Sequence, residues 1–204
     1  MRMSEAAKNQ MLETLDETNA AGAKFGSLHD AYSASGSSEL SGGAPPYARK
    51  ALVWGPAAVG AKATSAEVLF DIPGGRFVRF IGFWTAVTGG TFLGMTPNGG
   101  GLVQAFVVPN TTTDVLQCVA HGLIDDEAVV VWAVPGDPLP TPLVEGTVYY
   151  VVASSPDTMK LAATLGGAPI DLSTIGAGEL QKIVPEQFAA QGSHTVTSVT
   201  INLD

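Results

Sequence analysis

Cysteine is almost missing from this chain. Cys118 is the single one in 204 residues, which excludes an intramolecular disulfide and reads as a small buried hydrophobe. Charge is scarce too, at 14% of residues, and positive charge scarcest: ten Lys plus Arg stand against nineteen Asp plus Glu, for a net charge of −9. Without a basic stripe to neutralise phosphates, nucleic acid is not an expected partner. Long apolar runs are lacking as well. The longest, such as Ala128–Val134, fall far short of a bilayer span, and the first 20 residues hold no apolar core of a secretory signal. The expectation is a soluble chain made in a cytoplasm, with no membrane partner.

Reactive constellations are equally sparse. His29, His121 and His194 lie far apart, with no carboxylate or thiol at metal-ligand spacing. Ser27, His29 and Asp30 are the residue types of a hydrolase triad, but adjacent strand residues point to opposite faces. No Gly-x-Ser-x-Gly elbow occurs. Gly55 and Gly60 have the spacing of a phosphate-binding loop, yet Ala61 stands where that loop needs Lys. Asp125-Asp126-Glu127 is the densest acidic cluster, and three consecutive acids cannot all converge on one cation, so a solvated turn is expected. No catalytic, cofactor-binding or metal-ligating residue is assigned, and no enzyme activity is expected.

What is present is β structure. Hydrophobic residues make up 46% of the chain, with 24 Gly and 13 Pro, the profile of short strands joined by turns. The organising stretch is Phe77–Leu93. Phe77, Arg79, Ile81 and Phe83 fall on one pleat face and Val78, Phe80, Gly82 and Trp84 on the other, so the strand predicted here is covered on both sides. Thr88-Gly89-Gly90 turns it into a second run, Thr91-Phe92-Leu93, giving a central hairpin. Further strands are predicted at Phe25–His29, Tyr47–Trp54, Glu67–Ile72 and His194–Leu203. A long serine- and glycine-rich surface loop, Ala31–Ala44, follows the first of these.

One helix is predicted, over residues 4–20, capped by Ser4 and carrying a thin stripe of Ala7, Met11 and Leu15 that docks lightly on the body or on a neighbouring subunit. The polar run Asn110–Asp114 reads as a linker into a small module of short strands: Val115–Ala120, Ala128–Val134, Thr147–Ala153, Thr158–Ala162 and Pro169–Leu172, with a turn at Gly176–Gly178. The expected organisation is a mainly β chain: a jelly-roll-like β-sandwich host domain over 1–109 plus 184–204, with a small β-barrel or sandwich module over 110–183 inserted in it. Most aromatics belong in the core by their alternation. Adjacent Tyr149 and Tyr150 place one ring in and one out, and with Trp132 they join Met11 and Leu15 as candidate interface residues.

Two sets of residues carry a resemblance. Ser27-Leu28-His29, Glu39-Leu40-Ser41-Gly42-Gly43, Tyr47-Ala48-Arg49-Lys50, Trp54, Phe70-Asp71-Ile72-Pro73, Ile81-Gly82-Phe83-Trp84 and Gly89-Gly90-Thr91-Phe92-Leu93 occur in that order. This order resembles minor tail or tail-fibre-like virion proteins of tailed phages of actinobacteria. In that family the domain closes with a segment similar to Gln191–Thr197, which here comes far later in the chain and so fits an insertion. One departure is that Asp30-Ala31-Tyr32 leads into a serine-rich loop, where the family often has a short Pro/Gly turn. The second set is His121-Gly122-Leu123, Leu139-Pro140, Gly146–Val152, Met159-Lys160-Leu161 and Gly166–Leu172. It is similar to a small β module found across phage tail, fibre and head-associated proteins.

The resemblance implies a structural virion protein in the tail, made in the host cytoplasm. Its implied partners are copies of itself, with a trimer favoured over a hexameric ring, and other virion proteins. Capsid decoration, a head fibre and an adhesion module for a host-surface glycan are the alternatives.

Overall fold

A computed structural model describes residues 3–203. In chain order the elements are helix α1 (Glu5–Glu13) and strands β1 (Phe25–His29), β2 (Lys50–Ala51), β3 (Ala61–Ala63), β4 (Val68–Ile72), β5 (Arg76–Val78), β6 (Phe80–Trp84) and β7 (Phe92–Pro97). There follow β8 (Val103–Val108), β9 (Leu116–Gln117), β10 (Ala128–Trp132), β11 (Val148–Ser155), β12 (Thr158–Ala162) and β13 (Gly176–Lys182), then β14 (Glu186–Phe188), β15 (Gly192–Val196) and β16 (Thr200–Asn202). The protein is mainly β. It divides into two compact units, Met1–Thr96 with Glu186–Asp204, and Pro97–Pro185.

In the first unit β1 lies antiparallel between β2 and β6, and β7 completes a four-stranded sheet on the far side of β6. All five residues of β6 are buried, as apolar side chains on both faces require. The stretch expected as one central strand breaks at Arg79. Before it, β5 pairs with β14; after it, β6 pairs with β1. Arg79 makes the change of partner, its backbone N–H donating to the His29 carbonyl and its guanidinium to the Asp30 carbonyl.

The segment after Pro185 runs back along residues 61–78 as one long antiparallel ribbon. Glu186 faces Val78, Gly192 faces Ile72, Val196 faces Val68 and Asn202 faces Ala61. The register slips once. Between the Val68–Val196 and Ala63–Thr200 pairs, four residues on one strand oppose three on the other, and Thr64 bridges the bulge by bonding both the N–H and the C=O of Val199. The inward row of the ribbon (Phe70, Ile72, Val78, Val196 and Val199) shares a single core with Leu28, Leu52, Ile81 and Phe83 of the sheet side.

Helix α1 ends at Glu13 rather than reaching residue 20, because Asp16 accepts from the Thr18 N–H and closes a turn in place of a further helical bond. Ser4 caps the helix as expected, its Oγ accepting from the Ala7 N–H at 3.2 Å. Attachment is polar rather than apolar. Leu12 is the one buried helix residue, while Asn9 and Glu13 accept backbone N–H groups of Gly60 and Ala57.

The second unit is a closed six-stranded barrel in the order β10-β11-β12-β9-β8-β13. Alternation sends Phe106, Val108, Val129, Val131, Tyr149, Val151, Met159, Leu161 and Leu180 inward, where Leu116 and Cys118 join them. Four expectations change here. The unit begins at Pro97, not at 110, because β8 is a barrel strand pairing with both β13 and β9. The Asn110–Asp114 run is the loop between β8 and β9, closed by Asn110 Oδ1 accepting from Thr112 and Thr113. Gly176–Gly178 opens the seven-residue strand β13 instead of a turn. Gly178 is needed there because a Cβ would sit 2.6 Å from a Leu139 methyl and 2.9 Å from the Phe106 ring. Pro169–Leu172 forms one bridge to Ala162 and no strand.

Candidate functional site

The interface candidates separate. Met11 is 50% exposed, while Leu15 is half-buried and its carbonyl accepts from Ala23. In the barrel, Tyr149 is a core residue whose hydroxyl accepts from the Val144 N–H, so its nomination as an interface anchor is withdrawn. Tyr150 and Trp132 are half-buried and, by alternation, on the outer side of β11 and β10. The two helix residues belong to the first unit and the three aromatics to the second.

The best-built polar cluster lies in the first unit, among residues that sequence reasoning set aside. Ser27 and His29 are two apart on β1, so they share a face, and both are fully buried. Trp84 Nε1–H donates to Ser27 Oγ at 2.9 Å, and Ser27 Oγ lies 2.7 Å from His29 Nε2. His29 Nδ1 lies 3.2 Å from Ser38 Oγ, which in turn donates to the Ala31 carbonyl at 2.5 Å. Counting donors fixes the tautomer: Ser27 donates to Nε2, and the ring N–H sits on Nδ1 and donates to Ser38. Burial first and the nearby Arg49 second push the His29 pKa down to about 4.

Arg49 lies beside this chain of donors. Its Nε and Nη2 form a fork on the Glu39 carboxylate, with bonds of 2.7–3.0 Å, and its Nη1 donates to the carbonyls of Ala86 and Gly89. The guanidinium rests 3.4 Å over the Trp84 ring. Tyr47 hydroxyl accepts the Leu28 N–H and donates toward Glu39, and burial raises its pKa. Two glycines are shaped to the cluster. A Cβ on Gly82 would lie 2.4 Å from His29 Nε2, and one on Gly36, at φ +75°, would lie 2.5 Å from the Trp84 ring. The serine-rich loop is therefore folded onto Trp84 rather than being plain surface. A Ser–His pair this enclosed leaves no room for a substrate atom at Ser27 Oγ. What the arrangement does is lock the hairpin turn after β6 to the start of the sheet. The sequence signal that could have found it was Ser-x-His on one strand face.

The other histidines are also buried. His121 Nε2 donates to the Ser155 carbonyl at 2.6 Å and its Nδ1 accepts the Leu123 N–H, which staples the loop before β10. His194 Nδ1 pairs with Glu186 at 2.6 Å. In the acidic run, Asp125 accepts the Ser154 N–H and Glu127 pairs with Lys182, which holds the Glu127 carboxyl below its usual value. Cys118 is buried, and burial raises its thiol pKa. Among the described residues no group of three His, Cys, Asp or Glu side chains is placed to hold a metal ion. No described helix is long and apolar enough to cross a membrane. Comparison with known proteins gave no match to any family model, any curated protein or any solved structure.

Proposed function

We propose that the chain is a structural component of a phage virion, a minor tail or tail-fibre-associated protein that acts through subunit packing rather than catalysis. The observation that supports this reading is where the resemblance residues fall. Ser27, His29, Glu39, Tyr47, Arg49, Gly82, Trp84 and Gly89, scattered over some sixty positions of sequence, meet in one cluster built on the fully buried Ser27 and His29. A motif whose residues are spent on holding a hairpin to a sheet is a signature of architecture, not of a reaction. With this goes a finer reading of the first unit as a jelly-roll-like sandwich, the four-stranded sheet forming one layer and the long ribbon the other.

The test is immunogold labelling of intact particles with antibody to this chain. Label at the tail tip or fibres is the expected result. Label spread over the head would move the protein to capsid decoration or a head fibre. Particles without label would overturn the virion reading.

A further inference from the structure

The long ribbon is two strands wide, and the outer side of its returning strand is open. Strands β14, β15 and β16 each pair with a single neighbour (β5, β4 and β3), and among the described residues no strand lies against their other edge. Backbone directions can be read off. Val199 C=O accepts from Thr64 and Leu203 N–H donates to Gly60, so residues 199, 201 and 203 aim at β3. Consecutive residues of a strand direct their backbone groups to opposite edges, so Thr200 and Asn202 aim theirs at the open side. The side chains of Ser193, Thr195, Thr197, Ser198, Thr200 and Asn202 are all exposed. Gln191 is already occupied, bonding Ala44 N–H and the Pro45 carbonyl, so the free stretch starts at Ser193.

Free edges are normally protected by charge, proline or brevity. Other edge strands of this unit show such protection: β2 has two residues and carries Lys50, β7 ends in Pro97, and β4 and β5 carry Asp71 and Arg76. From Gln187 to Leu203 there is no Lys, Arg, Asp, Glu or Pro at all.

We propose that this edge, Ser193–Asn202, is where a second copy of the chain adds, strand to strand and antiparallel about a two-fold axis. Charge chooses the partner. At a net charge of −9, copies repel over most of their surface, and this uncharged stretch is where they can approach. The exposed Ser/Thr row is also self-complementary, since Thr–Thr and Thr–Ser pairs stabilise antiparallel neighbours. Ten residues on each copy provide up to about ten backbone hydrogen bonds, the number a typical interface carries. The basic assembly unit is then a pair rather than the trimer implied by the resemblance, and a ring of six is three such pairs. The inference shares with the virion reading the idea of self-assembly, but it concerns the purified chain, so unlabelled particles would leave it standing.

Sedimentation velocity of the full chain, with hydrogen exchange in parallel, tests it. The expected result is a monomer–dimer equilibrium in which the Thr200 and Asn202 amides gain protection as concentration rises, while Val199 and Ile201 are protected throughout. Thr195→Lys and Thr200→Lys each put a lysine on the pairing edge, and together they set like charges against each other across the axis, weakening the dimer by about ten-fold or more. Asn202→Lys, at the frayed end of the ribbon, is the back-up if either variant lowers the melting temperature. A monomer at every concentration, a trimer, or a dimer indifferent to all three lysines would overturn the proposal.

Discussion

Acidification should unfasten the first unit through one residue, His29. The neutral ring receives the Ser27 hydroxyl proton on Nε2 and donates from Nδ1 to Ser38, so a second ring proton, placed on Nε2, takes away the acceptor of the Ser27 hydroxyl proton. Burial and Arg49 add to that penalty, lowering the pKa from 6.5 to about 4. At 1.36 kcal/mol per pH unit, the gap corresponds to about 3 kcal/mol. A folded-state value below the unfolded one means that the unfolded chain binds the proton first as pH falls. The stability is therefore fully present above 6.5, drains away as pH drops towards about 4, and levels off below it.

Urea unfolding followed by tryptophan fluorescence measures this directly. In a Trp132→Phe background the two remaining tryptophans, Trp54 and Trp84, both report on the first unit. About 2 kcal/mol should be lost between about pH 6.5 and about pH 5, before the carboxylates of Glu13 and Asp16, held below their ordinary values, begin to take protons. His29→Gln should start less stable and stay flat across the same window. A wild type that keeps its stability to about pH 5, or a Gln variant that falls as steeply, would refute the account of the buried donor chain.

Other expectations concern stability and construction. Arg49→Ala leaves the Glu39 carboxylate 19% exposed and unpaired and frees two turn carbonyls, so it should cost about 3–5 kcal/mol by urea midpoint, with Arg49→Lys intermediate for want of the fork; a lysine as good as arginine would refute it. Lys62 Nζ is fully buried against Glu13 at 2.5 Å and Asp16 at 3.4 Å. Lys62→Met should therefore be tolerated better than Glu13→Ala with Asp16→Ala, which strands a buried ammonium; the reverse order of melting temperatures would count against a buried ion trio as the anchor of α1. Asn98 and Val184 bond each other reciprocally at 2.8 and 2.9 Å, closing the neck of the barrel. Deleting 99–183 across a short Gly/Ser linker should leave a soluble first unit, whereas deleting 112–183 should aggregate by stranding β8. Equal solubility of the two products would show that β8 does not need its barrel partners.

The elements legible in the sequence were those whose neighbours do not alter their local pattern. Phe25–His29 and Thr158–Ala162 lie where alternation puts them, and the return of His194–Leu203 to the first unit followed from its single apolar face. Failures came where tertiary contacts outvote local chemistry. Two glycines of Gly176–Gly178 look like a turn until the Phe106 ring and Leu139 are seen to need the space. Asn110–Asp114 looks like a linker because an Asx-closed loop and a linker share a composition. Helix α1 looked lightly docked because its apolar stripe is thin, while its attachment runs through Asn9, Glu13 and Lys62, which no hydrophobic pattern registers. The His29 cluster was the largest omission. Its members lie at 27, 38, 49 and 84, and nothing local ties a serine-rich loop to a tryptophan some fifty residues on.

The ribbon has a consequence for synthesis on the ribosome. Val196 and Val199 complete the core of the first unit, yet they are translated after the whole of Pro97–Pro185. Every strand of the barrel, from Val103 to Lys182, precedes them in the chain, and the strand pairings that close the barrel all lie within that span. The insert can thus finish folding while its host still waits with one side of its core open. Any nascent chain cut short before Gly192 carries a folded barrel on an unfinished first unit, a species for proteases to find.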